Sequence, residues 1–310
     1  MVDYSIIIPH YNIPDLLDRL LSSIPIRNDV EVIVVDDKSS EIVFRQLELL
    51  RQRYCFSLFS NDGKKGAGTC RNRGLAEASG RWVVFADADD FFCDDFSVIL
   101  DAYKDDSADL VYFNIDSVLS ENISVHSFRS RDKQNLFNEY NKNPVEGMKR
   151  FRYGYPEPWG KFIKRALIEQ NKISFDETPV CNDFKFSFMI GVFARIVKID
   201  NRQMYVLTLR SGSISNNYGG ALEKIVVRFD VLCRVQQLAR DNMVQEKYLP
   251  VQKGELLYLI LRFFPKQYIK ELNYFSSQYK ISKIKLIWLT FSMSVKKIVG
   301  RIYGCFGYNC

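Results

Sequence analysis

The chain has 310 residues, of which 47% are hydrophobic and 14% aromatic, so it can bury a full core and lacks the composition of a disordered protein. Its net charge of +6 equals the six basic residues that follow the last acidic residue, Glu271: Lys280, Lys283, Lys285, Lys296, Lys297 and Arg301. The chain before this tail is therefore neutral overall, which argues against a nucleic-acid-binding surface along the whole protein.

The first hundred residues alternate short β-branched runs with segments of helical periodicity. The predicted strands are 5–9, 30–35, 56–59 and 81–86, and the predicted helices are 13–24, 41–53 and 69–79, the last ended by Gly80. Runs such as "SIIIP" and "VEVIVV" suit strands buried on both faces of a parallel sheet. The alternation predicts a doubly wound α/β sheet.

The pattern is looser further along the chain. We predict a strand at 108–116, a polar loop over 120–145, helices at 143–154, 159–171 and 182–196, and a hairpin-like pair of strands at 196–210. From Ala221 onward the pattern is helical. We therefore predict a boundary near residue 218, with a helical region over 219–310.

Acidic residues follow two of the predicted parallel strands. Asp36-Asp37 ends one strand, and Asp87, Asp89 and Asp90 end another. Ligands of open parallel sheets bind beyond the carboxyl ends of the strands. One such aspartate alone would suit a helix N-cap, but the cluster predicts a positive partner. Mg²⁺ or Mn²⁺ fits, with a nucleotide diphosphate completing its oxygen ligands.

The loop "GKKGAGTCRNRG" supports a phosphate-bearing ligand. It brings Lys64, Lys65, Arg71 and Arg73 towards the same edge of the sheet. It is neither a P-loop nor a dinucleotide GxGxxG motif, since no GK[ST] closes it and Arg71 stands where the third glycine belongs. The loop alone is a weak signal.

Four blocks of the chain together resemble family 2 glycosyltransferases. They are "SIIIPHYN", "VEVIVVDDKSS", "GAGTCRNRGLAEASGRWVVFADADD" and "CNDFKFSF". The resemblance covers roughly residues 3–115 and continues more weakly to about 218. It implies a GT-A fold, a Rossmann-like mixed and mainly parallel sheet flanked by helices, with a nucleotide-sugar half at 1–115 and an acceptor half at 116–218. The helical C-terminal region would extend this domain.

The resemblance also assigns roles to individual residues. It implies nucleotide-sugar binding by residues at the strand ends and in the glycine-bearing loop: Pro9, Tyr11, Asp37, Arg71, Asp87 and Ala88. In the DXD motif Asp87-Ala88-Asp89, Asp89 would bind the divalent metal, supported by Asp90. His10 replaces the small residue common at its position, and we predict a packed or base-stacking role in preference to a catalytic one.

The catalytic base implied by the resemblance is Asp183. The family has an acidic pair at this place, whereas this chain has Asn182-Asp183. A helix N-cap is the alternative role for Asp183, and both can hold. The helix dipole lowers the pKa of a carboxyl at this end, which would weaken the base unless desolvation compensates.

The acceptor side is implied by "EPWGKFIKR" and "RSGSISNN". Trp159 would stack on a sugar and Lys161 would approach the phosphates, or else both belong to an amphipathic helix with a core tryptophan. Arg210 and Ser213 would face the diphosphate.

The predicted enzyme is an inverting, metal-dependent hexosyltransferase. Its donor would be a nucleotide sugar, with UDP favoured, and its acceptor a sugar hydroxyl of a glycan or lipid-linked oligosaccharide in surface-polysaccharide synthesis. A sugar nucleotidyltransferase is one alternative, although "PHYNIPD" stands where its glycine-rich signature would follow the first strand. A non-catalytic nucleotide-sugar-binding module is another.

The compartment predicted from the sequence is the cytoplasm. The seven cysteines form no CxxC pair, the N-terminus does not resemble a signal peptide, and no run approaches the roughly 18 apolar residues of a spanning helix. Residues 281–304 mix lysines with apolar and aromatic residues. This segment suits either peripheral contact with the inner face of the cytoplasmic membrane or packing on the catalytic domain.

Overall fold

The structure is a computed structural model that describes residues 2–210, 221–250 and 253–304. The chain divides into two compact units, Met1–Ser213 and Ile214–Cys310. The boundary predicted near residue 218 lies outside the described residues, as does Ser213.

The first unit is a mixed sheet flanked by helices. Its strands are β1 (Tyr4–His10), β2 (Val30–Asp36), β3 (Ser57–Ser60), β4 (Trp82–Phe85), β5 (Phe91–Phe92), β6 (Leu110–Leu119), β7 (Asn122–His126), β8 (Lys161–Lys164) and β9 (Val197–Leu209). Its helices are α1 (Pro14–Ser22), α2 (Glu41–Tyr54), α3 (Ala67–Glu77), α4 (Phe96–Tyr103), α5 (Arg131–Lys142), α6 (Pro144–Gly154), α7 (Arg165–Gln170) and α8 (Phe184–Phe193). The strand order is β3-β2-β1-β4-β8-β6-β9-β5, with β7 paired to β6.

The first hundred residues confirm the predicted alternation of strands and helices. β3, β2, β1 and β4 are parallel neighbours. The centre of this sheet is covered on both faces, since consecutive residues Ile6, Ile7 and Ile8 of β1 are all fully buried. Helix α1 covers the sheet with Leu17 and Leu20, which are also fully buried. These parallel strands direct their carboxyl ends to one edge.

Two predictions for the second half were wrong. Residues 161–164 form β8, antiparallel to β4 and β6, and only Arg165–Gln170 is helical. Both Phe162 and Ile163 are fully buried in the sheet, so sheet packing overrides the local helical pattern. Residues 197–209 form one long strand, β9, parallel to β6, and its antiparallel neighbour is β5, which is distant in sequence.

Two smaller expectations also need correction. The segment 120–145 contains β7 and α5, although it was predicted to be a polar loop. Helix α3 ends at Glu77, three residues before Gly80. Gly80 is required for another reason, because a Cβ there would lie 2.7 Å from the backbone nitrogen of Ser5.

The second unit confirms the helical prediction. It contains α9 (Leu222–Asp241), α10 (Lys253–Phe263), α11 (Pro265–Tyr279) and α12 (Lys283–Gly304). Phe229 of α9 stacks on Phe275 of α11 with ring centroids 3.7 Å apart, and both are fully buried. Of the helices that the structure describes, none combines the length and the apolar character needed to cross a membrane.

Candidate active site

The ends of β1 and β2 are joined by a buried His10–Asp36 pair. The Nδ1 atom of His10 lies 2.9 Å from the carboxylate of Asp36, and its Nε2 accepts the backbone N–H of Ile13. Nδ1 therefore carries the proton that faces Asp36. Burial alone would raise the pKa of Asp36, but hydrogen bonds from His10 and Ser39 hold it below its usual value. His10 is 1% exposed, as expected of a packed histidine.

Asp37 organises the glycine-bearing loop. Its carboxylate accepts hydrogen bonds from the side-chain amide of Asn61 at 2.6 Å and from the backbone N–H of Gly66 at 3.0 Å. The side-chain oxygen of Asn61 in turn accepts the backbone N–H of Gly63. Sequence reasoning missed Asn61, although it directly follows β3 and so stands at the same edge as the aspartates. Asp37 and Asn61 therefore set the loop against the end of β2.

Tyr11 offers an accessible aromatic surface beside this loop. Its side chain is 45% exposed, and the ammonium group of Lys65 lies 3.5 Å from the centroid of its ring. Pro9 lies within β1 opposite Val35 of β2. Ala88 is 3% exposed, and its methyl side chain offers no polar atom to a ligand.

Arg71 of α3 joins the two halves of the unit. Its guanidinium donates to the carboxylate of Asp87 at 2.7 Å and to the amide oxygen of Asn182 at 2.9 Å. Arg71 is 5% exposed, and its guanidinium also lies over the ring of Phe175. The Asp87 side chain after β4 and the loop before α8 are thus held by one side chain.

Arginines partly balance the carboxylates that follow β4. Arg210 donates from Nε to the carboxylate of Asp89 at 3.2 Å, and Arg19 donates to its backbone carbonyl at 2.5 Å. The sequence predicted a metal ion as the positive group here, whereas these guanidinium groups supply positive charge from the chain itself. In the part of the chain that the structure describes, no three His, Cys, Asp or Glu side chains are placed to hold a metal ion.

Asp89 and Asp90 nevertheless have the chemistry of a divalent site. Burial, followed by the negative charge of Asp87, raises the pKa of Asp89, and Arg210 opposes the rise. Asp90 is fully buried, and its Oδ1 accepts the N–H of Thr208 while Oδ2 has no hydrogen-bond partner among the described residues. Burial and the two neighbouring carboxylates raise the pKa of Asp90 well above its usual value. Buried carboxylates that repel one another would be stabilised by a divalent cation, and their hard oxygen atoms suit Mg²⁺ or Mn²⁺.

Asp183 stands at the N-cap of α8. Its side chain makes no capping hydrogen bond within the described residues, so the N-cap alternative is not realised through its carboxylate. Burial raises the pKa of Asp183 to about 6, against the opposing charge of Arg71. Desolvation therefore outweighs any lowering by the helix end, and the carboxylate is a stronger base than an exposed aspartate.

Helix α3 holds the loop that leads to Asp183. The side-chain amide of Asn72 donates to the carbonyl of Phe175, and its oxygen accepts the N–H of the same residue. Gly68 permits close contact, since a Cβ there would lie 2.2 Å from the carbonyl oxygen of Asp176. The predicted base is thus positioned by the helix that also carries Arg71.

Trp159 and Lys161 are both buried, so their predicted contacts with sugar and phosphates are not supported. Trp159 is 5% exposed and stacks on Tyr205. The ammonium of Lys161 is fully buried and donates to the carbonyls of Tyr155 and Glu157 at 2.8 and 2.5 Å. Burial lowers the pKa of Lys161 to about 7. Trp159 is therefore a core tryptophan, as the alternative interpretation of the sequence stated. Lys161 lies in strand β8 and not in the amphipathic helix of that alternative.

Three further residues were missed by sequence reasoning. Arg19 reaches Asp89 from α1, Thr208 of β9 donates its hydroxyl to the Asp89 carbonyl, and the hydroxyl of Tyr205 accepts the Asp87 N–H at 2.8 Å. Their sequence separation from the DXD motif reaches 119 residues, so no local pattern connects them. These contacts attach the end of β9 to the acidic edge.

The chain has a mixed sheet flanked by helices, with acidic residues after its parallel strands and the arginine-bearing α3 beside them. This combination indicates the class of GT-A-fold proteins. The sequence comparison agrees, because the family model for glycosyl transferase family 2 matches residues 5–194. The chain belongs to glycosyl transferase family 2.

Individual relatives are distant. A cholesterol galactosyltransferase of Borreliella burgdorferi is 27% identical over 79% of this chain and 73% of its own length. The poly(ribitol-phosphate) β-N-acetylglucosaminyltransferase TarS of Staphylococcus aureus is 28% identical over 68% of this chain, which spans only 36% of that protein.

Two solved structures share the fold. That of TarS residues 1–349 with UDP-GlcNAc covers 89% of this chain and 76% of its own, with a TM-score of 0.59 and 19% identity. A Pyrobaculum calidifontis mannosyltransferase in complex with GDP-Man and Mn²⁺ covers 94% of this chain and 80% of its own, with a TM-score of 0.53 and 17% identity. At these identities the likeness supports the GT-A fold.

Proposed function

We propose that this chain is an inverting glycosyltransferase that moves a sugar from a nucleotide sugar to a hydroxyl group of a glycan or lipid-linked oligosaccharide in bacterial surface-polysaccharide synthesis. Family membership supports sugar transfer, and the named activity of TarS, which acts on poly(ribitol-phosphate), supports a surface glycopolymer as acceptor. UDP is the nucleotide we favour, as in the TarS complex.

The observation that carries the proposal is the connection between Asp87 and the loop of Asp183. One guanidinium, that of Arg71, contacts both Asp87 and Asn182, the residue before the proposed base. Donor-binding and proton-accepting groups are therefore held together before any substrate arrives. Such preorganisation is what a transfer between two bound molecules requires.

Asp183 is the proposed base. It accepts the proton of the acceptor hydroxyl while that oxygen forms a bond to the anomeric carbon of the donor sugar. The bond from the anomeric carbon to the diphosphate oxygen breaks on the opposite face, which inverts the configuration. A positioned base contributes typically about 10²–10⁴-fold to the rate.

Asp89 would hold the divalent ion, with Asp90 in support. When bound, Mn²⁺ or Mg²⁺ would act as a Lewis acid on the leaving diphosphate. The remaining work belongs to the chain: Arg210 lies at the Asp89 carboxylate and can turn to the diphosphate, and Arg19 and Thr208 fix the Asp89 backbone.

The nucleoside would lie at the ends of β1 and β2. Tyr11 offers an exposed ring for stacking beside Pro9, and Lys65 brings positive charge to the same place. The Asp37 carboxylate keeps the loop in shape through Asn61 and Gly66. We propose that a remaining lone pair of Asp37 accepts a hydrogen bond from the nucleoside, and that the backbone at Ala88 borders the donor sugar.

The test is a panel of UDP-, GDP- and dTDP-sugars with Mn²⁺, in which release of the nucleoside diphosphate is measured with and without candidate acceptors. We expect release that depends on acceptor and is lost in Asp183→Asn but kept in Asp105→Asn, which replaces an exposed aspartate. Donor binding without release would support the binding module, and pyrophosphate exchange would support the nucleotidyltransferase. Either result would overturn the proposal.

A further inference from the structure

Helix α12 carries an exposed apolar stripe. Ile284 is 79% exposed, Ile287 50%, Trp288 64% and Phe291 67%. These positions are spaced i, i+3, i+4 and i+7, which places the four side chains on one face of the helix. Large apolar side chains grouped in this way mark an interaction surface.

The opposite side of α12 is fixed by packing within the second unit. Leu286 is fully buried, and Thr290 is 2% exposed. The hydroxyl of Tyr268 on α11 donates to the hydroxyl of Thr290 at 2.8 Å, and Thr290 donates to the carbonyl of Leu286. The helix therefore has a buried face already, and the stripe is a second apolar surface.

Positive charge lies at the N-terminal end of the stripe. Lys280, Lys283 and Lys285 are exposed at the start of α12 and just before it. Glu271, the last acidic residue of the chain, is 9% exposed and buried. The surface is therefore apolar and aromatic at its centre and cationic at one end.

This combination favours a lipid surface over a second copy of the chain. A symmetric pair formed through the stripe would set the same patch of each copy against itself, and α12 has no acidic residue to pair with Lys283 and Lys285. An anionic bilayer instead accepts the apolar side chains at its interface and attracts the lysines. A tryptophan is also the residue that best suits the headgroup region.

We propose that the α12 surface, formed by Ile284, Ile287, Trp288 and Phe291 with Lys280, Lys283 and Lys285, binds anionic lipid bilayers. The helix lies along the interface and does not cross it. This property is independent of sugar transfer, so its test uses neither donor nor acceptor.

Trp288 provides a specific reporter. The chain has three tryptophans, and Trp82 and Trp159 are 0% and 5% exposed. Only the fluorescence of Trp288 should change on binding. We expect a blue shift and weaker acrylamide quenching when the full-length protein meets vesicles of phosphatidylcholine and phosphatidylglycerol, and no change with phosphatidylcholine alone.

Matched variants locate the surface by vesicle flotation. Phe291→Ser should weaken binding about tenfold or more, since a buried aromatic side chain is lost from the lipid. Phe128→Ser is the control, because Phe128 lies in the first unit and is also 67% exposed. Lys283→Gln and Lys285→Gln should each weaken binding about fivefold, the effect of one basic residue near an anionic surface. Lys142→Gln, at an exposed lysine of α5, should leave it unchanged.

Sedimentation and thermal melting complete the test. The substitutions lie on the surface, so the melting temperature should remain within a few degrees of wild type. Three results would overturn the proposal: no flotation with anionic vesicles, equal loss in Phe128→Ser, or a dimer that Phe291→Ser dissociates. The last would make the stripe an interface between copies of the chain.

Discussion

Arg71 donates a hydrogen bond to the side-chain oxygen of Asn182 across 2.9 Å, although the two residues are 111 positions apart. The sequence resemblance implied an acidic residue at position 182; Asn182 is neutral, and its amide oxygen is the partner of the guanidinium. The other terminal nitrogen of the Arg71 guanidinium donates a hydrogen bond to the Asp87 carboxylate. Asn182 thus connects the loop before Asp183 to Arg71 without placing a second negative charge beside Asp183.

Arg71→Met should impair both stability and turnover. The substitution leaves Asp87 without its guanidinium partner, and Arg71 is 5% exposed, so we expect a loss of about 2 kcal/mol or more. The loop before Asp183 also loses an anchor, and kcat/KM should fall by about 10²-fold or more. Thermal melting and nucleoside diphosphate release measure the two effects.

Arg73→Met is the matched control for this prediction. Arg73 was also predicted to approach the acidic edge, but its guanidinium pairs with Glu77 on the same helix and lies over the ring of Phe59, and its side chain is 41% exposed. An exposed pair of this kind contributes little. If both variants lose activity to the same extent, the effect belongs to α3 as a whole and not to the connection that Arg71 makes.

Asp183→Asn should abolish most of the activity and remove its acidic pH limit. A base must be ionised, and burial raises the pKa of Asp183 to about 6. The wild-type kcat/KM should therefore fall about tenfold per pH unit below pH 6. The variant should be slower by about 10²–10⁴-fold and lack this limb. Wild-type activity that persists unchanged to pH 4.5 would contradict the assignment.

The same substitution should stabilise the fold at neutral pH. Between the unperturbed pKa of 3.8 and about 6, the folded state binds more protons at Asp183 than the unfolded state does. Stability from this group is therefore highest at low pH and is lost as pH rises through 6. Asp183→Asn removes a cost of up to about 3 kcal/mol at pH 8. Its melting temperature should exceed that of wild type at pH 8 and match it near pH 4.

Local signals made the acidic edge of the sheet predictable. Asp37, Asp87 and Asp89 follow buried β-branched runs, and parallel strands bring their carboxyl ends to one edge whatever the rest of the chain does. The desolvation of Asp183 was not predictable, because it depends on packing around the end of α8. From the sequence we could name only two opposing effects on the pKa of Asp183, the lowering by the helix dipole and the raising by desolvation.

The prediction of a helix over residues 159–171 failed for a related reason. The four residues of β8 are too few to distinguish strand from helix by periodicity. Their strand state comes from β4 and β6 on either side. Once β8 is a strand, Lys161 lies inside the sheet, and its ammonium reaches the carbonyls of Tyr155 and Glu157. The positive charge of Lys161 led to the prediction that it contacts phosphates. Its long apolar chain instead allows it to be buried with its ammonium group on backbone carbonyls.

Arg210→Gln should increase the affinity of the free protein for Mn²⁺. The guanidinium lies 3.2 Å from the Asp89 carboxylate, so a cation at Asp89 must compete with it. Electron paramagnetic resonance of free Mn²⁺ would measure a dissociation constant several-fold lower than that of wild type. Asp89→Asn should raise the constant, and Arg202→Gln, remote from Asp89 and paired with Asp200, should not change it. Weaker Mn²⁺ binding in Arg210→Gln would show that the arginine supports the metal and does not compete with it.

Gly68→Ala should reduce turnover more than it reduces donor binding. A Cβ at Gly68 would lie 2.2 Å from the carbonyl oxygen of Asp176 and 3.0 Å from Cβ of Asn182, so the loop before Asp183 must move. Overpacking of this kind costs about 1–3 kcal/mol, and a base displaced by about 1 Å can cost about 10²-fold in rate. The comparison is Gly63→Ala in the loop before α3, whose Cβ would meet a methyl group of Thr69 of that helix at 2.9 Å. Because the Asp37 side of the donor site is not touched by the Gly68 contact, KM for the donor should change little while kcat falls. A Gly68→Ala enzyme with normal kcat would show that the loop yields without moving Asp183.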